Sequence, residues 1–277
     1  MNKPITMANG KESLFFIIGC QRSGTTLTRL ILESHSQVQC MDEYRCYDYL
    51  KNPKNFDDIK ESKYLGLKTP LITEQLEEPF FSDPSLNYII YNNFKKNLRL
   101  FMIRDVRDTV SSMINLQQDD SNWFKIWPKK NLGFWIQTIP DFRKTYESEI
   151  SLISNSKNQL HSIASFYWKI KTESIFDYEK FENTKRVYYE ELVQKPKEII
   201  EKMIDFLDIP WEDVLLSHHK VKHADTDEHG ITIGNNDTKL PIFTKSIGKY
   251  NEKFSKSQIE DIMDISGDLM KKLGYNF

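Results

Sequence analysis

The sequence predicts an α/β fold with a central, mainly parallel sheet flanked by helices, and three stretches predict it. The apolar run Phe15-Phe16-Ile17-Ile18 enters a glycine-flanked turn, and an apolar-periodic segment through Leu27, Leu30 and Ile31 follows at once. That order reads as a buried strand, a loop and a helix. A second run, Leu98 to Ile103, passes through Arg104-Asp105-Val106-Arg107-Asp108 into a helical period at Val110, Met113 and Ile114. A third strand candidate, Arg186-Val187-Tyr188-Tyr189, precedes a helix over Lys197 to Leu207, which starts just after Pro196 and turns Ile199, Ile200, Met203, Ile204 and Leu207 to one side. Strands that alternate with helices pair in parallel. Such sheets collect their ligands at the carboxyl ends of the strands, the edge where the first loop and the Arg104 turn are expected.

The final helix is framed by Ser255-Lys256-Ser257-Gln258, a capping-box pattern, and by Gly274 at its end. Ile259, Ile262, Met263, Leu269 and Leu273 form its apolar face. Residues 1–13 read as a flexible terminus and 14–277 as one domain without repeats or low-complexity linkers. Residues 117–165, with Trp123, Trp127, Trp135, Pro128 and Pro140, fit the alternation poorly. They read either as a lid or acceptor-side insertion or as a peripheral packed subdomain.

Composition excludes several classes. A chain of 277 residues with 39% hydrophobic content can bury a sizeable core. A formal net charge of −2 argues against a nucleic-acid partner or an anionic membrane surface, so an anion site must be local. Three cysteines, Cys20, Cys40 and Cys46, give no C-x-x-C pair and no disulfide framework. The polar start and short apolar runs predict no signal peptide and no membrane span, and with them a cytoplasmic setting.

The chemistry begins at Gly19-Cys20-Gln21-Arg22-Ser23-Gly24-Thr25-Thr26. A loop that opens into a helix N-terminus aims backbone N–H groups and the positive end of the dipole at one spot, and that spot suits a phosphate. Gly19 and Gly24 permit close approach; Ser23, Thr25 and Thr26 add hydroxyls. The nucleotide-triphosphatase pattern G-x-x-x-x-G-K-[ST] has the same glycine spacing, but Thr25 stands where its lysine would be, and Arg22 lies inside the loop. Arginine grips an anion with a planar fork and needs no metal to do so. Downstream, Arg104 at a strand end and Ser112, eight residues on, can hold a second phosphate, with Asp105 and Asp108 orienting backbone or pairing with Arg107. The bland alternative is a salt-bridged strand–helix turn.

These residues, with Val187-Tyr188-Tyr189-Glu190-Glu191-Leu192, resemble the sulfotransferases that use 3′-phosphoadenosine 5′-phosphosulfate (PAPS). Within that family the likeness is closest to the protein-tyrosine sulfotransferases and related bacterial sulfotransferases. It runs in order from about Leu14 to Gly274 and includes Ile204-Asp205-Phe206-Leu207 and Leu273-Gly274-Tyr275. The resemblance implies the P-loop-like sulfotransferase fold and PAPS as donor, with no metal. An acceptor hydroxyl or amine, otherwise unidentified, would be the second partner. It also implies roles. Arg22, Ser23, Gly24, Thr25 and Thr26 would hold the 5′-phosphosulfate, Arg104 and Ser112 the 3′-phosphate, and Tyr189 the same end of the cofactor. Lys249, in Ser246-Ile247-Gly248-Lys249-Tyr250, occupies the place of a cofactor-contacting lysine, against the reading of a solvated side chain.

Glu43, in Cys40-Met41-Asp42-Glu43-Tyr44-Arg45, matches the family's catalytic glutamate and would take the acceptor's proton. Asp42 is its neighbour and rival, expected to point elsewhere. Lys68, in Gly66-Leu67-Lys68-Thr69-Pro70, matches a lysine that stabilises the departing phosphate. Together with Arg22 and the loop N–H groups it would meet the charge that grows on the leaving oxygen in an in-line displacement. The sequence departs from the tyrosine-sulfating relatives at Leu116, where they carry a basic residue, and near Asn235 or Asn236, where they carry a serine. Their secretory anchor and paired cysteines have no counterpart here, so a protein-tyrosine substrate is not implied. His218, His219, His223 and His229 lie in one polar stretch, with His219 and His223 at a zinc-like spacing if helical but without H-E-x-x-H; a loop near the cofactor is the expected role. Two further readings compete with sulfuryl transfer: a P-loop nucleotide kinase or triphosphatase, and a sulfonucleotide-binding protein without turnover.

Overall fold

In the computed structural model, residues 13–51, 62–70, 97–118, 121–126, 128–155, 159–223, 231–232 and 236–277 are described. The chain forms two compact units, residues 1–103 with 174–244 and residues 104–173 with 245–277.

Among the described residues, the first unit carries a sheet of five strands, β1 (Ser13–Gly19), β2 (Val38–Met41), β3 (Tyr64–Lys68), β4 (Leu98–Ile103) and β5 (Thr184–Tyr188). Their order is β2-β3-β1-β4-β5, and every pairing is parallel. Phe15 and Ile17 face one side of β1 and Phe16 and Ile18 the other, yet all four are buried, as strands covered on both faces require. Helix α1 (Thr25–Glu33) follows β1, and α2 (Glu43–Lys51) follows β2. Phe15, Ile17, Leu100, Met102 and Val187 of the sheet pack in one core with Ile31 and Leu32 of α1. The helix Pro196–Leu207 adds Ile199, Ile200, Met203, Ile204 and Leu207, the face its periodicity predicts, with Pro196 in its first turn.

Two differences from the sequence reading concern strands. The sequence pattern does not predict β2 or β3: β2 has only four residues, and β3 contains Gly66. The structure explains that glycine, because a Cβ there would stand 2.6 Å from the Phe15 ring and 2.7 Å from Cys40 Sγ. β5 ends at Tyr188, so Tyr189 opens a short helix, Tyr189–Gln194, instead of closing the strand.

The second unit is mainly helical. Helix α3 (Val106–Ile114) is capped by Asp105, whose carboxylate accepts from the Arg107 N–H. Residues 128–155 form the helices Pro128–Thr138, Pro140–Thr145 and Glu147–Asn155. Trp135 of this stretch is buried and stacks on Tyr167, 6.3 Å between ring centroids; Trp127 lies outside the described residues. The helix Leu160–Glu173 packs on the last helix, Lys256–Lys272, with Ser165 Oγ 2.7 Å from Ser266 Oγ. The capping box at Ser255 and Gln258 is formed as the sequence predicts.

Candidate active site

Within the first unit the candidate site is built at the carboxyl edge of the sheet. β1 ends at Gly19, whose φ of 129° and close approach to Met102 of β4 admit no side chain: a Cβ would lie 2.4 Å from the Met102 carbonyl oxygen. Ser23 closes the turn, its N–H and hydroxyl both donating to the Cys20 carbonyl at 3.1 and 2.6 Å. Arg22 holds a φ of 71°, a left-handed backbone unusual for a side chain of its size. Gly24 is the N-cap of α1 at φ 101°, with the Tyr189 ring where a Cβ would go, 2.5 Å away. Its N-cap, Gly24, has no side chain to cap α1, and no acidic residue stands in the first turn. The helix therefore presents its first N–H groups and positive dipole end beside Thr25, which is buried, and Thr26, which is half-buried.

Lys68 ends β3 in register with Ile17, two residues before Gly19, and it is almost wholly buried. Its Nζ donates to Asp42 Oδ1 at 2.7 Å and to Glu43 Oε1 at 3.2 Å. Asp42 follows β2, whose Met41 pairs with Leu67, and Glu43 is the first residue of α2. The expectation that Asp42 points away from Glu43 is therefore corrected: both carboxylates meet one ammonium, because consecutive residues straddle the bend from strand to helix. Burial works to raise the Asp42 pKa. The charges of Lys68 and Arg29 and the hydrogen bonds from Lys68 and the Glu43 N–H outweigh it and hold Asp42 below the ordinary carboxylate value.

Behind this group stand residues that the sequence reading missed. Arg29 on α1, fully buried, places Nε 3.9 Å from Asp42 Oδ2 and Nη1 3.2 Å from Glu33 Oε2. Glu33 Oε2 in turn lies 3.1 Å from His223 Nδ1. The available signal was an Arg–Glu pair at i, i+4 set among the apolar Leu30, Ile31 and Leu32.

The histidines divide. The 3-10 helix Asp213–Lys220 ends before His223, so the helical i, i+4 spacing of His219 and His223 is not realised. His223 Nε2 instead meets the His218 carbonyl at 2.8 Å. His218 is buried, and burial first, then His223 and His219, push its pKa down to about 4. Among the described residues no group of three or more His, Cys, Asp or Glu is arranged to hold a metal ion. His229 and Asn235 lie outside the described residues.

The second unit gathers its own set. Arg104 donates from Nη2 to the Ser246 carbonyl at 2.8 Å. Asp108 accepts the N–H groups of Gly248 and Tyr250 at 2.7 and 3.1 Å, so it orients the backbone on both sides of Lys249, whose side chain is exposed. Burial raises the Asp108 pKa against those hydrogen bonds. Arg107 pairs with Asp105 at 2.6 Å and lies over the Tyr250 ring, 4.6 Å from its centroid. Ser112 is half-buried on α3.

A sequence profile described as "Sulfotransferase family" matches residues 15–97. Protein-tyrosine sulfotransferase A of Caenorhabditis elegans is 24% identical over 291 residues, which cover 97% of this chain and 68% of that protein. Among solved structures, the sulfotransferase domain of the Synechococcus PCC 7002 olefin synthase superposes over 100% of both chains at a TM-score of 0.59 and 12% identity. A mouse sulfotransferase in complex with PAP does so over 95% of this chain and 86% of its own, at a TM-score of 0.54 and 15% identity. The parallel sheet and its flanking helices are thus the P-loop-like sulfotransferase fold. Within that class, the chain resembles the protein-tyrosine sulfotransferases in sequence, as the motifs around Arg22, Arg104 and Tyr189 imply. Among the described residues no helix is long and apolar enough to cross a membrane.

Proposed function

We propose that this protein is a PAPS-dependent sulfotransferase acting on a hydroxyl or amine acceptor, with Glu43 as general base. One observation carries the reading. Lys68, in contact with Glu43, ends a strand that pairs directly with β1, and β1 runs through the loop between Gly19 and Gly24 into the N-terminus of α1. A cation, a carboxylate and a cluster of backbone donors on one edge of a parallel sheet suit transfer of an anionic group.

The residues present fit the donor. The α1 N-terminus has no acidic residue in its first turn, and its N-cap is Gly24, whose lack of a Cβ makes room for the Tyr189 ring. Thr25 in place of the P-loop lysine, with Arg22 in the loop, supports binding without metal. When bound, PAPS supplies the sulfuryl group and a phosphate as leaving group. Arg22, Ser23, Gly24, Thr25 and Thr26 would hold its 5′ end, and Lys68 would meet the charge on the departing oxygen. Glu43, more open than Asp42, would accept the acceptor's proton. Arg104 and Ser112 keep the role of 3′-phosphate contacts that the resemblance implies, Lys249 that of a cofactor contact, and Tyr189 that of a contact to the 3′-phosphate end. The mouse neighbour complexed with PAP supports the donor class.

Calorimetric titration with adenosine 3′,5′-bisphosphate (PAP) in the absence of magnesium, with ATP as control, tests the reading. Metal-free binding that requires the 3′-phosphate is the expected result. A preference for magnesium-ATP would replace the reading with a nucleotide kinase.

A further inference from the structure

We infer that Asp42 is the positioning residue for both Lys68 and Glu43, anchored from behind by Arg29; the inference rests on the sulfuryl-transfer reading of this site. A single oxygen, Asp42 Oδ1, accepts the Lys68 ammonium at 2.7 Å and the Glu43 backbone N–H at 2.8 Å. The first contact fixes the cation at the end of β3. The second fixes the first residue of α2, the point from which the Glu43 side chain departs. The other oxygen, Oδ2, faces Arg29 Nε at 3.9 Å, and Arg29 is itself held by Glu33.

Burial divides the labour between the two carboxylates. The side chains of Asp42 and Lys68 are each 4% exposed, whereas that of Glu43 is 24% exposed. Asp42, enclosed between two cations, is a poor proton acceptor and a good clamp; Glu43 is the carboxylate an acceptor could reach. A buried ammonium demands a counter-ion. Without the Asp42 charge, Glu43 is the carboxylate left beside Lys68 among the described residues, and the cation would close on the base. Asp42 thus keeps the ammonium from being satisfied by Glu43 alone. Arg29 is a second cation beside Asp42 and helps keep it ionised.

A double-mutant cycle read by PAP calorimetry tests this, with thermal unfolding of each variant alongside. Asp42→Asn keeps an oxygen for the Glu43 N–H and removes the charge that places Lys68. It should fold and weaken PAP binding about tenfold, the loss of one charge-assisted hydrogen bond, as should Lys68→Met. In the Lys68→Met background, Asp42→Asn should add nothing further. A loss of the same size with and without Lys68 would mean a merely structural role and overturn the inference, as would wild-type affinity in Asp42→Asn. If Asp42→Asn does not fold, Arg29→Lys carries the same cycle, with the same non-additivity expected and additivity overturning it. Failure of the wild-type protein to bind PAP is a separate outcome, which removes the sulfuryl-transfer reading and this inference with it.

Discussion

Lys68 Nζ lies 3.2 Å from Glu43 Oε1, so the cation proposed for the leaving group and the carboxylate proposed for the acceptor touch one another. In an in-line displacement the base serves the attacking oxygen and the cation the leaving oxygen, on opposite sides of one sulfur. The two proposed roles therefore call for groups within a few ångströms of each other, as these are.

Glu43→Ala should therefore lower sulfuryl transfer by about 10²- to 10⁴-fold, the usual worth of a general base. PAP affinity should change little, because the ammonium remains with Asp42. Transfer from radiolabelled PAPS to a phenolic acceptor, measured beside PAP calorimetry, checks both halves. Unchanged transfer would remove Glu43 as the base, while binding without transfer is the expected pattern for the variant.

Arg104→Ala should weaken binding of PAP far more than binding of 5′-AMP. The reason is that its proposed ligand is the 3′-phosphate, and its present hydrogen bond to the Ser246 carbonyl orients the guanidinium. Parallel titrations of the two nucleotides decide it; equal losses would refute a 3′-phosphate role.

Gly19→Ala should destabilise the protein by about 2–4 kcal/mol, because it adds backbone strain to a collision with main-chain atoms. The Cβ would stand 2.4 Å from the Met102 carbonyl oxygen, an atom the sheet cannot move cheaply. Gly274→Ala is the control: its φ is 87°, but nothing lies within 4 Å of the added carbon. That variant should cost only about 1 kcal/mol of left-handed strain. Urea denaturation of the two variants measures the difference.

His218 should make stability depend on pH between about 4 and 6.5. Its folded pKa lies below the unfolded value, so the unfolded chain binds the proton first. The stabilisation is fully present above pH 6.5 and is lost as pH falls through that window, up to about 3 kcal/mol. Neither ring nitrogen has a hydrogen-bond partner among the described residues, so His218→Phe should fold and flatten this slope. A slope unchanged in the variant would assign the effect to another group.

The legible parts of the sequence were those in which one short segment contains its own physics. Phe15 to Thr26 reads as strand, loop and helix because apolar period, glycine and helix start follow in order. The face of Pro196–Leu207 and the Ser255 cap were equally local. β2 and β3 were not legible, since a four-residue strand and a strand interrupted by Gly66 carry too little pattern. Gly66 makes sense only beside Phe15 and Cys40.

The same division runs through the candidate site. The sequence by itself determined the chemistry available: a glycine-bounded loop with an arginine, a carboxylate pair at Asp42 and Glu43, and a lysine after Gly66-Leu67. Only the tertiary structure decided which of these meet. Asp42 and Glu43 lie 26 and 25 residues from Lys68 in the chain, and nothing local in the sequence says that both reach its ammonium. Parallel pairing of β2 with β3 brings them there, and the buried Arg29 on α1 closes the set. Charges removed from water are stable only in company, and that company is assembled by strand register, which no single segment encodes.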